Sequence, residues 1–157
     1  MASFEKAIER VLSNEGGYIN DLVDPGGETN FGISRKSYPT IDIHNLTLEQ
    51  AKNIYRRDFW IKIRGNIIQD QEIANNLLDF AVNAGNYAAI STIQKILDCK
   101  VDGIMGGDTL AHINQFSHDL NDKLTKSRCL FYRSLVIKKP NLKKFLRGWL
   151  NRAESFA

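Results

Sequence analysis

The sequence predicts a mainly α-helical fold with one small β-hairpin near the N-terminus. Apolar residues recur at helical spacing along most of the chain, glycines cluster between residues 16 and 32, and no internal repeat or low-complexity segment occurs. The chain has 157 residues, of which 43% are hydrophobic and 25% are charged. This length suits one domain, or one domain in two lobes, with a packed core, and the composition excludes an intrinsically disordered protein.

The first predicted helix has one apolar face, formed by Phe4, Ala7, Ile8, Val11 and Leu12. Ser3 is placed to cap its N-terminus, and Gly16–Gly17 ends it, because glycine readily adopts the left-handed conformation that follows a helix. Beyond this point, Asp24-Pro25-Gly26-Gly27 suits a type II turn. Such a turn would close a short hairpin between Tyr18–Ile19 and Asn30–Phe31.

The rest of the chain is predicted to be helical. Thr47-x-x-Gln50 is a capping box that opens a helix through Phe59. Further helices are predicted over residues 72–84, 88–97, 109–116, 120–137 and 142–153. A glycine-rich loop, Asp102-Gly103-x-x-Gly106-Gly107, precedes the helix over 109–116, and Pro140 separates the last two helices.

The formal net charge of +3 conceals a strong asymmetry along the chain. Residues 1–122 contain 11 basic and 17 acidic residues, whereas residues 123–152 contain 10 basic residues and no acidic residue. This pattern is typical of a protein with an anionic partner, and also of two amphipathic helices that present a solvated basic face. Both interpretations remain open from the sequence.

Several functional classes are not indicated by the sequence. No apolar run reaches the length of about 18 to 20 residues that a membrane span requires, and the N-terminus lacks the pattern of a secretory signal. The two cysteines, Cys99 and Cys129, are expected to be reduced thiols in the core. Cysteines and histidines do not show zinc-site spacing, and no phosphate-binding loop occurs, so we expect no metal and no cofactor.

The residues that follow the first helix form the pattern with the clearest chemical meaning. Glu15 lies at the C-terminal end of that helix, where the helix dipole is negative, beside the apolar residues Val11 and Leu12. Both influences disfavour the ionised carboxylate, and a neutral carboxylic acid is what a general acid for glycosidic cleavage requires. The hairpin would bring Asp24 and Thr29 across a cleft from Glu15, where they could hold a water molecule.

These residues resemble family 108 of the glycoside hydrolases, the lysozyme-like muramidases of phage endolysins and related bacterial proteins. The opening Glu15-Gly16-Gly17-Tyr18 and the following DPGGETNFGI segment carry this resemblance, and Asp79-Phe80-Ala81-Val82-Asn83-Ala84-Gly85 is similar to the middle motif of the family. Val101-Asp102-Gly103-Ile104 resembles the start of its peptidoglycan-binding segment. Residues 145–152 are similar to its usual ending. The four motifs cover nearly the whole chain.

The resemblance implies a lysozyme-like α+β fold, with a catalytic lobe over residues 1–97 and a helical, peptidoglycan-binding-like lobe over 98–157. It also implies that Glu15 is the catalytic acid and that Asp24, with Thr29, positions the attacking water. Phage-type lysozymes have five residues between this Asp and Thr, whereas four separate Asp24 from Thr29. Because a one-residue change in a strand reverses side-chain direction, Thr29 could be displaced, and Asp21 or Glu28 could replace Asp24.

Three further residues are candidates for substrate binding. The ring of Tyr18 could pack against a sugar or be buried in the hinge. Asp79 could orient the cleft or face solvent. Asn83 could donate a hydrogen bond to the N-acetyl group of the substrate or cap the end of its helix.

The resemblance implies a muramidase that hydrolyses the β-1,4 bond between N-acetylmuramic acid and N-acetylglucosamine. The stereochemistry depends on the separation of the two carboxyl groups, which the sequence leaves open, and we predict inversion with water as the nucleophile. A lytic transglycosylase, which would use Glu15 alone, and a non-enzymatic cell-wall or polyanion-binding protein are the alternatives. We expect a monomer that binds peptidoglycan, without nucleic acid binding or stable membrane insertion. It would be made in the bacterial cytoplasm and act in the periplasm, reached through a holin lesion or another export route, and its basic lobe would hold it on the anionic wall.

Overall fold

The structure is a computed structural model that describes residues 1–20, 27–116 and 118–157. This part of the chain forms seven α-helices and one three-stranded antiparallel sheet. The helices are α1 (Phe4–Asn14), α2 (Leu48–Tyr55), α3 (Gln71–Ala84), α4 (Asn86–Ile96), α5 (Gly107–Gln115), α6 (Leu120–Lys138) and α7 (Lys143–Glu154). The strands are β1 (Ile19–Asn20), β2 (Glu28–Asn30) and β3 (Ile33–Ser34). The predicted mainly α fold with a small N-terminal β-structure is confirmed.

The sheet contains one strand more than the predicted hairpin. The order is β1-β2-β3, with Thr29 opposite Ile19 and Asn30 opposite Ile33. The second connection consists of Phe31 and Gly32, which have φ angles of 51° and 77°. Positive φ at both central residues is the geometry of a type I′ hairpin turn, so Phe31–Gly32 forms a second tight turn that the sequence did not reveal. The predicted type II turn at 24–27 lies largely outside the described residues.

Helix α3 is the centre of the fold. It packs against α1, α4 and α6, and its residues from Ile73 to Ala81 are all buried. Its N-terminus is capped by Asp70, whose side chain accepts hydrogen bonds from the backbone N–H groups of Glu72 and Ile73. A helix covered by neighbours on all sides can only be mostly apolar, so any charged residue that it carries inside must find a partner.

The predicted capping box of α2 is confirmed, but the helix does not continue through Phe59. Thr47 Oγ1 accepts the backbone N–H of Gln50 at 3.2 Å, and Gln50 Oε1 accepts the backbone N–H of Thr47 at 2.9 Å. From Arg56 to Trp60 the chain follows a π-helical turn. This wider turn ends with Trp60, whose buried indole packs edge-on against Phe4 with ring centroids 5.6 Å apart.

The last two helices follow the predicted ranges closely and are joined by a 3-10 turn, Pro140–Leu142. Helix α6 packs against α3, α4 and α7. The rings of Tyr132 and Trp149 stack with centroids 5.3 Å apart, which attaches α7 to α6. Cys99 and Cys129 are both free and half-buried. In the described part of the chain, every helix is too short or too polar to cross a membrane.

Candidate active site

Glu15 lies where helix α1 ends, as the sequence predicts. It is the C-cap residue, its backbone is extended with φ −99° and ψ 147°, and its N–H donates to the carbonyl oxygen of Leu12. The side chain is 21% exposed. The carboxyl group is therefore held by the protein on most sides while remaining accessible from solvent.

Arg152 of α7 is the principal partner of Glu15, and it comes from the other end of the chain. Its Nη2 donates to Glu15 Oε1 at 2.9 Å and to Asp79 Oδ1 at 2.8 Å, and its Nε donates to Asp79 Oδ2 at 2.9 Å. Burial opposes the charged form, but the hydrogen bonds and charges of Asp79 and Glu15 outweigh it and raise the pKa of Arg152. The side chain of Arg152 is 14% exposed, and its single guanidinium group thus binds two carboxylates.

The side chain of Asp79, one of the predicted substrate-binding residues, is fully buried in α3 and is therefore not exposed to a ligand in this structure. Besides Arg152, it binds Arg128 of α6, whose Nη2 donates to Asp79 Oδ2 at 2.6 Å. The Arg128 side chain is also fully buried, so the pair is compensated inside the core. Asp79 therefore does not face solvent, and it is linked to Glu15 through the shared guanidinium of Arg152.

Asn83 is connected to the same network and borders a cavity. Its Nδ2 donates to the hydroxyl oxygen of Tyr132 at 2.7 Å, and that oxygen also accepts Nε of Arg128 at 3.1 Å. Helix α3 is capped by Gly85, so Asn83 is not the C-cap. Asn83 and Arg152 line a cavity of about 440 Å³ together with Trp149. Its amide remains a candidate for contact with a ligand.

The second turn of the sheet forms the wall behind Glu15. A Cβ atom on Gly32 would lie 2.8 Å from both Cγ and Cδ of Glu15 and 2.5 Å from the hydroxyl oxygen of Tyr55. Tyr55 donates from this hydroxyl to the carbonyl oxygen of Phe31 at 2.7 Å. Burial and the nearby charge of Glu15 raise the pKa of Tyr55, so it remains a hydrogen-bond donor. Only glycine fits between the turn and the carboxyl group.

The predicted water-positioning residues are described only in part. Asp24 and Asp21 lie outside the described residues. Thr29 is half-buried in the middle of β2, and side chains alternate along a strand, so it points to the face opposite Glu28. Glu28 Oε2 accepts Nε of Arg35 at 2.7 Å, and this hydrogen bond, though burial opposes it, lowers the pKa of Glu28.

Tyr18 lies beside this ion pair and is not buried in a hinge. Its side chain is 41% exposed, and its hydroxyl donates to Glu28 Oε1 at 2.9 Å. The ring meets His44 edge-on with centroids 4.7 Å apart. The hydroxyl is thus held by Glu28 and the ring by His44, while enough of the residue is exposed for a sugar to reach the ring.

A group of possible metal ligands lies on the helices after α3. One ligand atom each from Cys99, Asp108 and His112 falls within 4.8 Å of the others. Asp108 and His112 are four residues apart on α5, so they share a face, and the fold adds Cys99 from beyond the end of α4. The sequence predicted no metal site because its cysteines and histidines do not show zinc-site spacing, whereas this group is brought together by the fold. These three residues are separate from the residues around Glu15.

Sequence reasoning missed the two arginines of the network. Both were counted with the basic, solvated residues of the C-terminal region. One signal was present: Arg128 lies four residues from both Leu124 and Tyr132, so it occupies the apolar stripe of α6. An arginine at such a position predicts a buried acidic partner.

Comparison with known proteins gave two matches to family models and similar solved structures. Residues 8–85 match the family model described as Glycosyl hydrolase 108, and residues 88–154 match the model described as Predicted Peptidoglycan domain. The solved structure of Brucella abortus SagA is similar to this chain, with 29% sequence identity and a TM-score of 0.84. The similarity covers 98% of this chain and 90% of that chain. A search of curated proteins found no match.

Replacing Arg152 should destabilise the protein, because Glu15 loses its cation and buried Asp79 keeps only Arg128. Removing one partner of a buried ion pair costs about 3–5 kcal/mol, so we expect Arg152→Gln to lower the free energy of unfolding by roughly this amount. Arg152→Lys, which keeps the charge but not the planar fork, should fall between that variant and the original protein. Urea denaturation followed by circular dichroism measures both.

The matched control is Arg147→Gln, an exposed arginine of the same helix. A surface substitution of this kind should change stability by less than about 0.5 kcal/mol. Equal effects of Arg147→Gln and Arg152→Gln would mean that the ion network does not stabilise the fold.

Proposed function

The chain belongs to the glycosyl hydrolase 108 family, and from this premise we propose that it is an N-acetylmuramidase. Family membership makes it a glycoside hydrolase, and the peptidoglycan domain over residues 88–154 identifies peptidoglycan as what it acts on. This sets aside a purely binding role. The proposed reaction is hydrolysis of the β-1,4 bond between N-acetylmuramic acid and N-acetylglucosamine. The observation that carries the proposal is the partly exposed carboxyl group of Glu15, fixed at the end of α1 by Arg152.

Glu15 is the proposed general acid. Its Oε1 accepts a hydrogen bond from the cationic guanidinium of Arg152, a partner that the sequence-based argument for a neutral carboxyl group did not include. Within the described part of the chain, Oε2 of Glu15 accepts no hydrogen bond. We therefore propose that Oε2 delivers the catalytic proton. This proton passes to the glycosidic oxygen as the bond to the anomeric carbon breaks. Asp79 shares the guanidinium of Arg152 and so fixes its position.

Asp24, with Thr29, is the proposed group that holds the attacking water. The alternative carboxylate Glu28 is less suited to this role, because Tyr18 and Arg35 occupy its two oxygens. A carboxylate that holds water across the sugar leads to inversion, for which the two carboxyl groups lie about 6.5–9.5 Å apart. Retention would need a nucleophilic carboxylate about 5–5.5 Å from the acid. Trapping of a covalent glycosyl-enzyme would contradict inversion.

Tyr18 and Asn83 are the proposed substrate contacts. The exposed ring of Tyr18 offers an apolar face to a sugar, and it is held at its hydroxyl by Glu28. The half-buried amide of Asn83, which borders the cavity beside Arg152, can bind an N-acetyl group. Both residues are anchored by one hydrogen bond each, so little side-chain entropy is lost when a substrate binds.

Glu15→Gln should abolish hydrolysis of purified sacculi while leaving the fold intact. An amide cannot donate the required proton, and general acid catalysis contributes about 100-fold to 10,000-fold. The loss of turbidity of a sacculus suspension measures activity, and thermal unfolding monitors the fold. Glu9→Gln, an exposed carboxylate on the same helix, is the control and should retain full activity. If Glu15→Gln remains as active as the original protein, Glu15 is not the general acid.

The products distinguish hydrolysis from transglycosylation. A muramidase adds water and leaves muropeptides with reducing ends, whereas a lytic transglycosylase uses the 6-hydroxyl of the muramic acid and leaves anhydro ends. We expect reducing ends by mass spectrometry, and we expect Asp24→Asn to reduce the rate strongly. Anhydro ends, together with full activity of Asp24→Asn, would contradict the proposed hydrolysis and favour the transglycosylase.

Gly32→Ala should impair activity more than a comparable glycine substitution elsewhere. The new methyl group would meet the side chain of Glu15, and the position has a φ of +77°. Gly27→Ala is the matched control, since its φ is +66° but nothing lies within 4 Å of the new atom. Both variants should lose about 1–2 kcal/mol of stability from backbone strain, measured by urea denaturation. Only Gly32→Ala should displace Glu15 and lose sacculus hydrolysis, and equal activity of the two variants would contradict this role of Gly32.

A further inference from the structure

A groove between α4 and α6 is lined by residues that match the peptidoglycan domain, except for Tyr87, which directly precedes the matched range. Its cavity has a volume of about 640 Å³. We refer to it as the α4–α6 groove and define it by Tyr87, Lys95, Leu130, Phe131, Ser134 and Lys138. No residue of the site around Glu15 lines it. The proposed hydrolysis therefore leaves this groove without a role.

Tyr87 stands at the groove as an exposed ring in a fixed position. Its side chain is 66% exposed, yet the ring packs so closely on Gly103 that a Cβ atom there would collide with it. The turn at Gly103 is itself fixed, because buried Gln94 accepts the N–H of Gly103 at 2.9 Å through its Oε1. Gln94 also donates to Asp102 Oδ1 at 2.9 Å. A large exposed ring that already packs on the backbone can bind a ligand at a smaller cost in side-chain entropy than a ring without such a contact.

The floor of the groove is anchored on the core through Phe131. This residue is half-buried, and its ring meets Phe80 of the core edge-on with centroids 5.5 Å apart. Leu130 beside it is largely exposed. The groove therefore presents two apolar side chains, of which Phe131 is anchored on the core, with Ser134 as a hydrogen-bonding group.

The groove carries positive charge only. Lys95 of α4 and Lys138 of α6 line it, and its lining contains no acidic residue. In the described part of the chain neither lysine makes an ion pair. Two ammonium groups beside an apolar floor are complementary to a short peptide with free carboxylates.

We propose that the α4–α6 groove binds a stem peptide of peptidoglycan, with its carboxylates on Lys95 and Lys138 and its side chains against Tyr87 and Phe131. A stem peptide combines small apolar side chains with free carboxylates, which match this lining, whereas an uncharged glycan would leave both lysines without partners. The proposal rests on peptidoglycan as the substrate and does not depend on the muramidase chemistry at Glu15. Binding of the peptide would keep the enzyme on the wall between successive cleavages.

The test is titration of the full chain with a synthetic stem tripeptide, L-Ala-γ-D-Glu-L-Lys, followed by NMR or calorimetry. Lys95→Gln/Lys138→Gln should weaken binding by roughly tenfold, and Tyr87→Ala by roughly threefold or more. Lys126→Gln/Lys139→Gln is the matched control, because it removes the same charge from exposed positions outside the groove lining and should not change binding. The tripeptide with amidated carboxyl groups should bind to the original protein as weakly as the unmodified tripeptide binds to the Lys95→Gln/Lys138→Gln variant.

Three results would overturn the proposal: no binding of the tripeptide, equal weakening by the two double variants, or preferential binding of the free disaccharide in the groove. Thermal unfolding of each variant verifies the fold. Because the tripeptide contains no glycosidic bond, its binding is independent of catalysis. A failure of Glu15→Gln to abolish hydrolysis would therefore leave the titration unaffected, and the two proposals can fail separately.

Discussion

The guanidinium of Arg152 is the contact on which the rest of the site depends. It binds Glu15 at the end of α1 and Asp79 inside α3, and Asp79 in turn binds fully buried Arg128. An unpaired carboxylate in the central helix would cost several kcal/mol, so Asp79 is tolerated only because two arginines reach it. Arg152, which compensates the buried charge of Asp79, also fixes the position of Glu15. Stability of the core and placement of the proposed acid are therefore consequences of one network.

This network joins the two segments that match separate family models. Glu15 and Asp79 belong to the segment that matches the glycosyl hydrolase model, whereas Arg128 and Arg152 belong to the peptidoglycan domain. The second segment therefore contributes to the structure of the site, because it supplies the cation that holds the proposed catalytic carboxyl group. The stacked rings of Tyr132 and Trp149 keep α7 in the place that this contact requires. The proposed acid and the segment that matches the peptidoglycan domain are thus held together by a common set of helices.

The charge asymmetry of the chain has two distinct structural meanings. Of the ten basic residues in 123–152, Arg128 and Arg152 turn inward and neutralise acidic groups of the first segment. Others are exposed, and Lys138 lines the α4–α6 groove with Lys95. Composition treats these residues alike, because a formal charge carries no information about burial. Whether a basic residue is available to an anionic partner or only faces solvent therefore differs from one residue to the next. Arg128 and Arg152 do neither, because they pair with acidic groups inside the protein.

Local signals in the sequence determined the helix positions, the capping box at Thr47 and the place of Glu15 at a helix end, because propensity, capping and apolar period act over a few residues. The second turn at Phe31–Gly32 was missed because it needs positive φ at a non-glycine residue, which a sequence signals weakly. Tertiary structure alone decided that Arg152, 137 residues from Glu15, would be its partner. It also decided that Asp79 would be buried instead of facing a substrate, since burial depends on which elements pack around α3. The sequence by itself thus determined that Glu15 lies at the end of α1, where we propose that it acts as the acid, whereas the tertiary contacts of Arg152 decided how its carboxyl group is held.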